Sequence, residues 1–242
     1  MIEIKRKILK SGARNRPSTR SNSGIYGHVN ENRYICIHNT GNRSKTATAA
    51  GHANWMYNNS EMLVGYHFTV DDREAWQHIP IDEGAWHCGD GVSGKGNLHS
   101  IGIEICENMV NYDYNKYKQA ELNAAWLTAR LLKETGLTIK DVKQHFDFSG
   151  KNCPSVIRGR RNGWQEFIGK VEGYLTDKPE TKPQEIPKIQ RTVGVEVDGQ
   201  MANMTGYLIN NRTYLPMLEV ARLTGVEVTG HGDHVKVRRP RR

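Results

Sequence analysis

Two histidines and a cysteine offer the most specific chemistry in this sequence. His38 closes the apolar run YICIH, and His145 and Cys153 bracket the loop HFDFSGKNC. Two imidazoles and a thiolate make a three-point zinc site that leaves the fourth tetrahedral position to water, as catalytic zinc requires; a structural zinc fills all four positions. No fourth Cys or His stands within the His145–Cys153 loop. The same residues also read as a buried, hydrogen-bonded histidine and a packing thiol. Lys151, two residues before Cys153, lies in a loop of Gly and Asn where a cation beside a metal would steady an oxyanion. Alone, it reads as a solvated lysine. Glu104 stands inside IGIEIC, where a carboxylate is costly without a partner. At a strand end facing a cleft it would take a proton from water and pass it to a leaving amine. Paired with an Arg or Lys it would be structural.

These residues need elements to position them. RYICIH (33–38) alternates as a strand, with Tyr34, Cys36 and His38 on one face and Ile35 and Ile37 on the other. A helix is expected over roughly 46–58, from Ala49, Ala53 and Met56 at helical spacing, and strands over 64–70 (VGYHFTV) and REAWQHIP. IGIEICEN (101–108) reads as apolar on both faces and therefore central in a sheet. Residues 115–135 carry the clearest helical periodicity, with Gly136 as its stop. VKQHF leads into the loop DFSGKNCP, and a last helix spans roughly 160–174. Residues 1 to about 30 read as a largely irregular arm laid against the domain, and 89–100 as a mobile loop beside the cleft. Strands alternating with helices give an α/β fold, a mixed central sheet flanked by helices.

Residues 1–175 form the expected catalytic domain. TDKPETKPQEIPKI (176–189) is a stiff, Pro-rich linker, and 190–242 a small α+β domain. In the latter, RTVGVEVDG alternates like a strand and ends in Asp-Gly, hairpins are expected in YLINNRTYLP and in VEVTGHGDHVKVRR, and a short helix at MLEVARLTG.

The formal net charge of +8 favours polyanions: nucleic acid, anionic membrane or the teichoic acids of a cell wall. No nucleic-acid motif accompanies the basic tail KVRRPRR, so no nucleic-acid partner is expected. No apolar run is long enough to span a membrane, and no secretory signal follows the basic N-terminus. The four cysteines form no CxxC pair and are expected to be reduced.

The series YICIHNTG, VGYHFTV, GAWHCGD, HSIGIEIC and QHFDFSGKNCP resembles the type 2 N-acetylmuramoyl-L-alanine amidases, which include phage endolysins, autolysins and peptidoglycan recognition proteins. The likeness runs from about residue 30 to 175. It implies Zn2+ held by His38, His145 and Cys153, and catalytic roles for Glu104, Lys151 and Tyr66. The implied reaction is hydrolysis of the bond between N-acetylmuramic acid and L-alanine. Glu104 shuttles the proton, and zinc and Lys151 stabilise the oxyanion. Tyr66 orients substrate or water, or packs in the sheet. Trp86, His87, Asn39 and Thr40 are implied at the substrate. His52, His67, His78 and His99 are assigned no role. Members that act as receptors typically lack the zinc cysteine, so Cys153 speaks for an enzyme.

The stretch YLINNRTYLPMLEVA resembles a small module of Gram-positive surface proteins, similar to the N-terminal domain-like repeat of copper amine oxidases. It implies attachment to the wall, to peptidoglycan and to secondary wall polymers, without copper chemistry. Together these readings imply a phage or prophage endolysin, resident in the host cytoplasm until it is released onto the wall. A host autolysin with the same chemistry and a non-catalytic peptidoglycan receptor are the alternatives.

Overall fold

The computed structural model describes residues 2–176 with their side chains and, beyond them, the backbone of five strands within 190–238. The chain divides into two units, Met1–Lys178 and Pro179–Arg242.

The first unit is built on a six-stranded sheet of β1 (Glu3–Arg6), β2 (Tyr34–Asn39), β3 (Phe68–Val70), β4 (Glu74–Gln77), β5 (Ser100–Ile105) and β6 (Val142–Gln144), in the order β1-β4-β3-β5-β2-β6. The β3–β4 pair is antiparallel and the other pairs are parallel, so the sheet is mixed. Six α-helices accompany it among the described residues: α1 (Ala49–Asn58), α2 (Lys95–His99), α3 (Tyr114–Thr135), α4 (Phe146–Ser149), α5 (Ser155–Arg158) and α6 (Gly163–Leu175).

Strand alternation sorts the central residues. Ile35 and Ile37 of β2 and Ile101, Ile103 and Ile105 of β5 face the main core, where they meet Tyr117, Leu127 and Leu131 of α3 and Phe167 and Val171 of α6. The opposite face takes Cys36 and His38 from β2 and Gly102 and Glu104 from β5. Parallel pairing sets His38 directly beside Glu104. Strand β5 is therefore central as expected, but apolar on one face and polar on the other. That polar face is where the chemistry lies.

Helix α3 begins at Asp113, whose carboxylate accepts from the Asn115 and Lys116 amides, and ends at Gly136 with φ +73°. Its Glu121 is fully buried. Arg160 donates to both its oxygens at 2.8 and 2.9 Å, and Lys170 donates at 2.6 Å. Removing one partner of such a group leaves an uncompensated buried charge, so this trio ties α3 to the segment around α6.

Other expectations are refined or corrected. The N-terminal arm contains the short strand β1, and otherwise it lies against the domain as expected. Arg16 binds Glu83 through two nitrogens, Asn30 donates to the Ser100 carbonyl at 3.0 Å, and Leu9 and Ile25 are buried. The stretch 89–100 contains α2, and Asp90 accepts from the Gly96 and Asn97 amides at 2.6 and 3.2 Å. The strand expected over 64–70 is limited to Phe68–Val70.

In the second unit, β7 (Gln190–Val197), β8 (Gln200–Ile209) and β9 (Arg212–Tyr214) form an antiparallel sheet, and β10 (Glu227–His231) pairs antiparallel with β11 (His234–Arg238). The β8–β9 and β10–β11 pairings join the two runs of each expected hairpin, and β7, which ends at the expected Asp-Gly, pairs with β8. The two-residue turns themselves, the expected helix at MLEVARLTG and residues 177–189 of the expected linker lie outside the described residues.

Candidate metal centre

His38 stands near the C-terminal end of β2. His145 opens α4, where its amide reaches the Ile37 carbonyl of β2 at 3.3 Å. The following loop closes on itself: the Phe146 amide donates to the Cys153 carbonyl at 3.1 Å, and the Cys153 amide to the Lys151 carbonyl at 2.7 Å. Gly150, at φ +75°, makes the turn that returns the chain.

The result is convergence. His38 Nδ1 lies 2.9 Å from His145 Nδ1 and 3.9 Å from Cys153 Sγ. Tetrahedral zinc, with bonds of about 2.0–2.3 Å, sets its N–N and N–S ligand pairs about 3.3–3.6 Å apart. The donor set suits a zinc ion with an open fourth position, and the two separations lie within about 0.4 Å of these edges. The second imidazole nitrogen of His38 is also engaged, with Nε2 3.0 Å from His87 Nδ1, which fixes the ring.

Burial pushes His38 below the ordinary histidine range despite the nearby Glu104 charge, and pushes the Cys153 thiol up to about 12. A coordinated cation reverses this and deprotonates the thiol.

Glu104 reaches the same point. Its Oε1 is 3.9 Å from His38 Nδ1, and its buried Oε2 has no hydrogen-bond partner. Burial raises its pKa, opposed by the His38, His87 and Lys151 charges. This is the environment of a carboxylate that can hold a proton and give it up. Lys151 is exposed on the rim. Both line a cleft of about 1360 Å³ together with His38's partners His145 and Cys153.

Tyr66 also lines the cleft, just before β3 rather than within a strand, and its hydroxyl lies 3.1 Å from His52 Nδ1. Burial holds the phenol well above its ordinary range. His52 was given no role by sequence reasoning. It sits on α1, 14 residues before Tyr66 in the chain, so no local pattern links them. Arg14, Arg20 and Trp55 line the cleft without having been singled out.

The residues expected at the substrate divide. Trp86 faces the cleft. Asn39 borders it, but its amide donates to the Tyr117 hydroxyl at 3.1 Å and accepts from the Val156 amide at 3.0 Å, ties that hold β2 to α3 and α5. Thr40 accepts from the Glu107 amide at 3.2 Å. His87 is buried and turns its Nδ1 to His38, leaving its unpartnered Nε2 as the atom available to a ligand.

His67 forms the floor behind His87. Its Nε2 donates to the Glu83 carbonyl at 2.9 Å, and its Nδ1 accepts from the Gly102 amide at 2.9 Å. Only the neutral ring satisfies both bonds, and burial pushes its pKa down to about 3; His78 is held at a similar value by burial. Both folded pKa values lie below the unfolded value of about 6.5, so the unfolded chain binds protons that the folded chain refuses. Stability is expected to be complete above pH about 6.5 and to fall by about 1 kcal/mol or more per unit as pH drops toward 3. Urea midpoints that stay level between pH 7 and pH 4 would overturn this.

With the geometry in hand, comparisons with known proteins are specific. The N-acetylmuramoyl-L-alanine amidase family profile matches residues 28–156. The chain is 39% identical over 183 residues to the Bacillus subtilis N-acetylmuramoyl-L-alanine amidase CwlH, covering 76% of this chain and 66% of CwlH. It is 37% identical over 202 residues to XlyA of the same organism, covering 81% of this chain and 61% of XlyA. It thus spans less than two thirds of the length of these curated relatives. Among solved structures, the catalytic domain of XlyA superposes with a TM-score of 0.61 at 38% identity, covering 70% of this chain and 99% of that one. A mutant endolysin from Bacillus subtilis gives the same TM-score and identity, covering 71% and 99%.

Proposed function

The chain belongs to the N-acetylmuramoyl-L-alanine amidase family, and from that premise we propose that it hydrolyses the amide between N-acetylmuramic acid and L-alanine in peptidoglycan as a zinc enzyme. The observation that carries this reading is the meeting of His38, His145, Cys153 and Glu104, the last three of which line one cleft.

When bound by His38, His145 and Cys153, zinc supplies Lewis-acid polarisation of the scissile carbonyl and acidifies water. The chain's residues do the rest. Glu104 accepts the proton of the attacking water on its unpartnered oxygen and returns it to the departing L-alanine nitrogen. Lys151, on the rim, offers its ammonium to the oxygen that gains charge. Tyr66, fixed by His52, orients the substrate from the opposite wall, and Trp86 offers an apolar face to glycan or peptide. His87 keeps the His38 ring in place and turns its Nε2 toward the ligand.

The unit Pro179–Arg242 is proposed to hold the enzyme on the wall, as a module similar to the copper amine oxidase N-terminal domain-like repeat. An endolysin role, with residence in the host cytoplasm until release, fits the family and the names of the relatives. Among the described residues no helix is long and apolar enough to cross a membrane.

Digestion of purified Gram-positive peptidoglycan tests the reaction. New L-alanine amino termini beside intact glycan strands are expected, lost with a chelator and regained with zinc. New reducing sugars, cut stem peptides or no cleavage would overturn it. A chain ending at Lys178 is expected to cut soluble muropeptides at the full-length rate and to bind whole walls at least about tenfold more weakly, as loss of a second binding module implies. Equal wall binding by the shortened chain would remove the anchoring role.

A further inference from the structure

Behind the metal centre, on the inner side of His38, lies a second set of donors, two of which, the thiols of Cys36 and Cys88, have no part in the proposed reaction. Cys36 shares the His38 face of β2, and its Sγ is 3.5 Å from Cys88 Sγ. Cys88 Sγ is 3.2 Å from His87 Nδ1, which is 3.0 Å from His38 Nε2. All four atoms lie within 4.8 Å of one another, and all four residues are buried. Tetrahedral zinc with two sulfur and two nitrogen ligands sets neighbouring donors about 3.3–3.8 Å apart. The observed separations of 3.0, 3.2 and 3.5 Å come within about 0.4 Å of the corresponding edges.

The surroundings keep this space open from two sides. Gly102 is paired with Cys36 across the sheet, and a Cβ on it would stand 2.7 Å from His87 Nδ1. A Cβ on Gly96 would stand 2.5 Å from Cys88 Cβ and 2.7 Å from its sulfur. Asn97 Oδ1 accepts from the His87 and Cys88 amides at 2.9 and 2.8 Å, which fixes both donors on one short segment.

We infer that Cys36, Cys88, His87 and the Nε2 of His38 form a second, closed site for a thiophilic d10 cation such as zinc, back to back with the open site. Four protein donors leave no position for water, so this site clamps the 87–88 segment against β2 and does not catalyse. Loading it releases the two thiol protons to solvent. With both sites filled, His38 bridges the cations through its two nitrogens and gives up its remaining ring proton as well. Repulsion between cations across one ring makes the second ion bind more weakly than the first. The inference needs only these donors, not the hydrolytic reading.

The full-length protein, loaded with excess zinc and desalted, is expected to retain two zinc per chain by elemental analysis. Cys36→Ser and Cys88→Ser are each expected to retain one. Cys153→Ala, which disrupts the open site, is also expected to retain one. In cobalt-loaded protein the thiolate-to-metal absorption should fall by roughly two thirds in the Cys36→Ser/Cys88→Ser double variant and by roughly one third in Cys153→Ala, because three thiolates contribute. One zinc per chain in the unaltered protein, or a cobalt absorption worth a single thiolate, would overturn the inference, and both are read without any variant. Failure of peptidoglycan cleavage would overturn the amidase reading and leave this count unchanged.

Discussion

Cys153→Ala is expected to yield a folded protein that has lost the open-site zinc and at least about a thousandfold in peptidoglycan hydrolysis, since several kcal/mol of Lewis-acid stabilisation depart with the metal. The backbone bonds that shape the loop, from Phe146 to the Cys153 carbonyl and from Cys153 to the Lys151 carbonyl, survive the substitution. What disappears is a sulfur that accepts from the Asn39 amide at 3.4 Å and lies 3.9 Å from His38 Nδ1. Two imidazoles alone hold zinc much more weakly than two imidazoles and a thiolate, because the thiolate brings charge as well as a bond. Far-ultraviolet circular dichroism would show the fold, elemental analysis the metal, and mass spectrometry of digested walls the turnover. A variant that binds no metal at the open site yet cuts at the original rate would sink the zinc mechanism. Loss of turnover with all zinc retained would move Cys153 from ligand to substrate contact.

The role proposed for this cysteine was only half legible in the sequence. Spacing alone left a zinc ligand and a packing thiol both open, and it was the resemblance of five ordered motifs to the amidases that implied His38, His145 and Cys153 as ligands. Strand β2 and helix α3 were readable directly. Each carries a periodic apolar pattern long enough to outweigh local noise, and α3 also has Asp113 and Gly136 at its ends.

Other features depend on partners far away in the chain. Glu121 has the look of a solvated helix residue until Arg160 and Lys170, 39 and 49 residues later, close around it. Strand β1 is four residues of mostly charged text, and it exists because β4 offers an open edge. The loop at 89–100 is held by Asp90 and Asn97 side chains acting on backbone amides, an economy that composition does not reveal. The polar face of β5 was hidden because Gly102 is neutral in any hydropathy pattern, yet it is the residue that admits the His87 ring.

Glu104→Gln separates the work of the carboxylate from that of the metal. The amide has nearly the same shape, and β5 sits between β2 and β3, so the fold and the three zinc donors are expected to remain. General acid–base catalysis of this kind contributes about 10²–10⁴-fold, and that is the expected loss in turnover. The unusual feature of Glu104 is a carboxylate whose Oε1 lies 3.9 Å from His38 Nδ1 while its Oε2 is buried and unpartnered. Such an atom costs stability unless a bound species uses it. Glutamine fills the same space without the capacity to take a proton, so the loss should fall on kcat with little change in KM. Stability should hold or rise, because a buried carboxylate without a hydrogen-bonded partner is replaced by a neutral group. The competing arrangement is the Tyr66–His52 pair, with 3.1 Å between hydroxyl and ring. Were Glu104→Gln to keep full turnover while Tyr66→Phe lost it, the proton would travel by that wall of the cleft. Parallel kinetics of the two variants with zinc content held equal therefore assign the shuttle, because each leaves the other's hydrogen-bonding group in place.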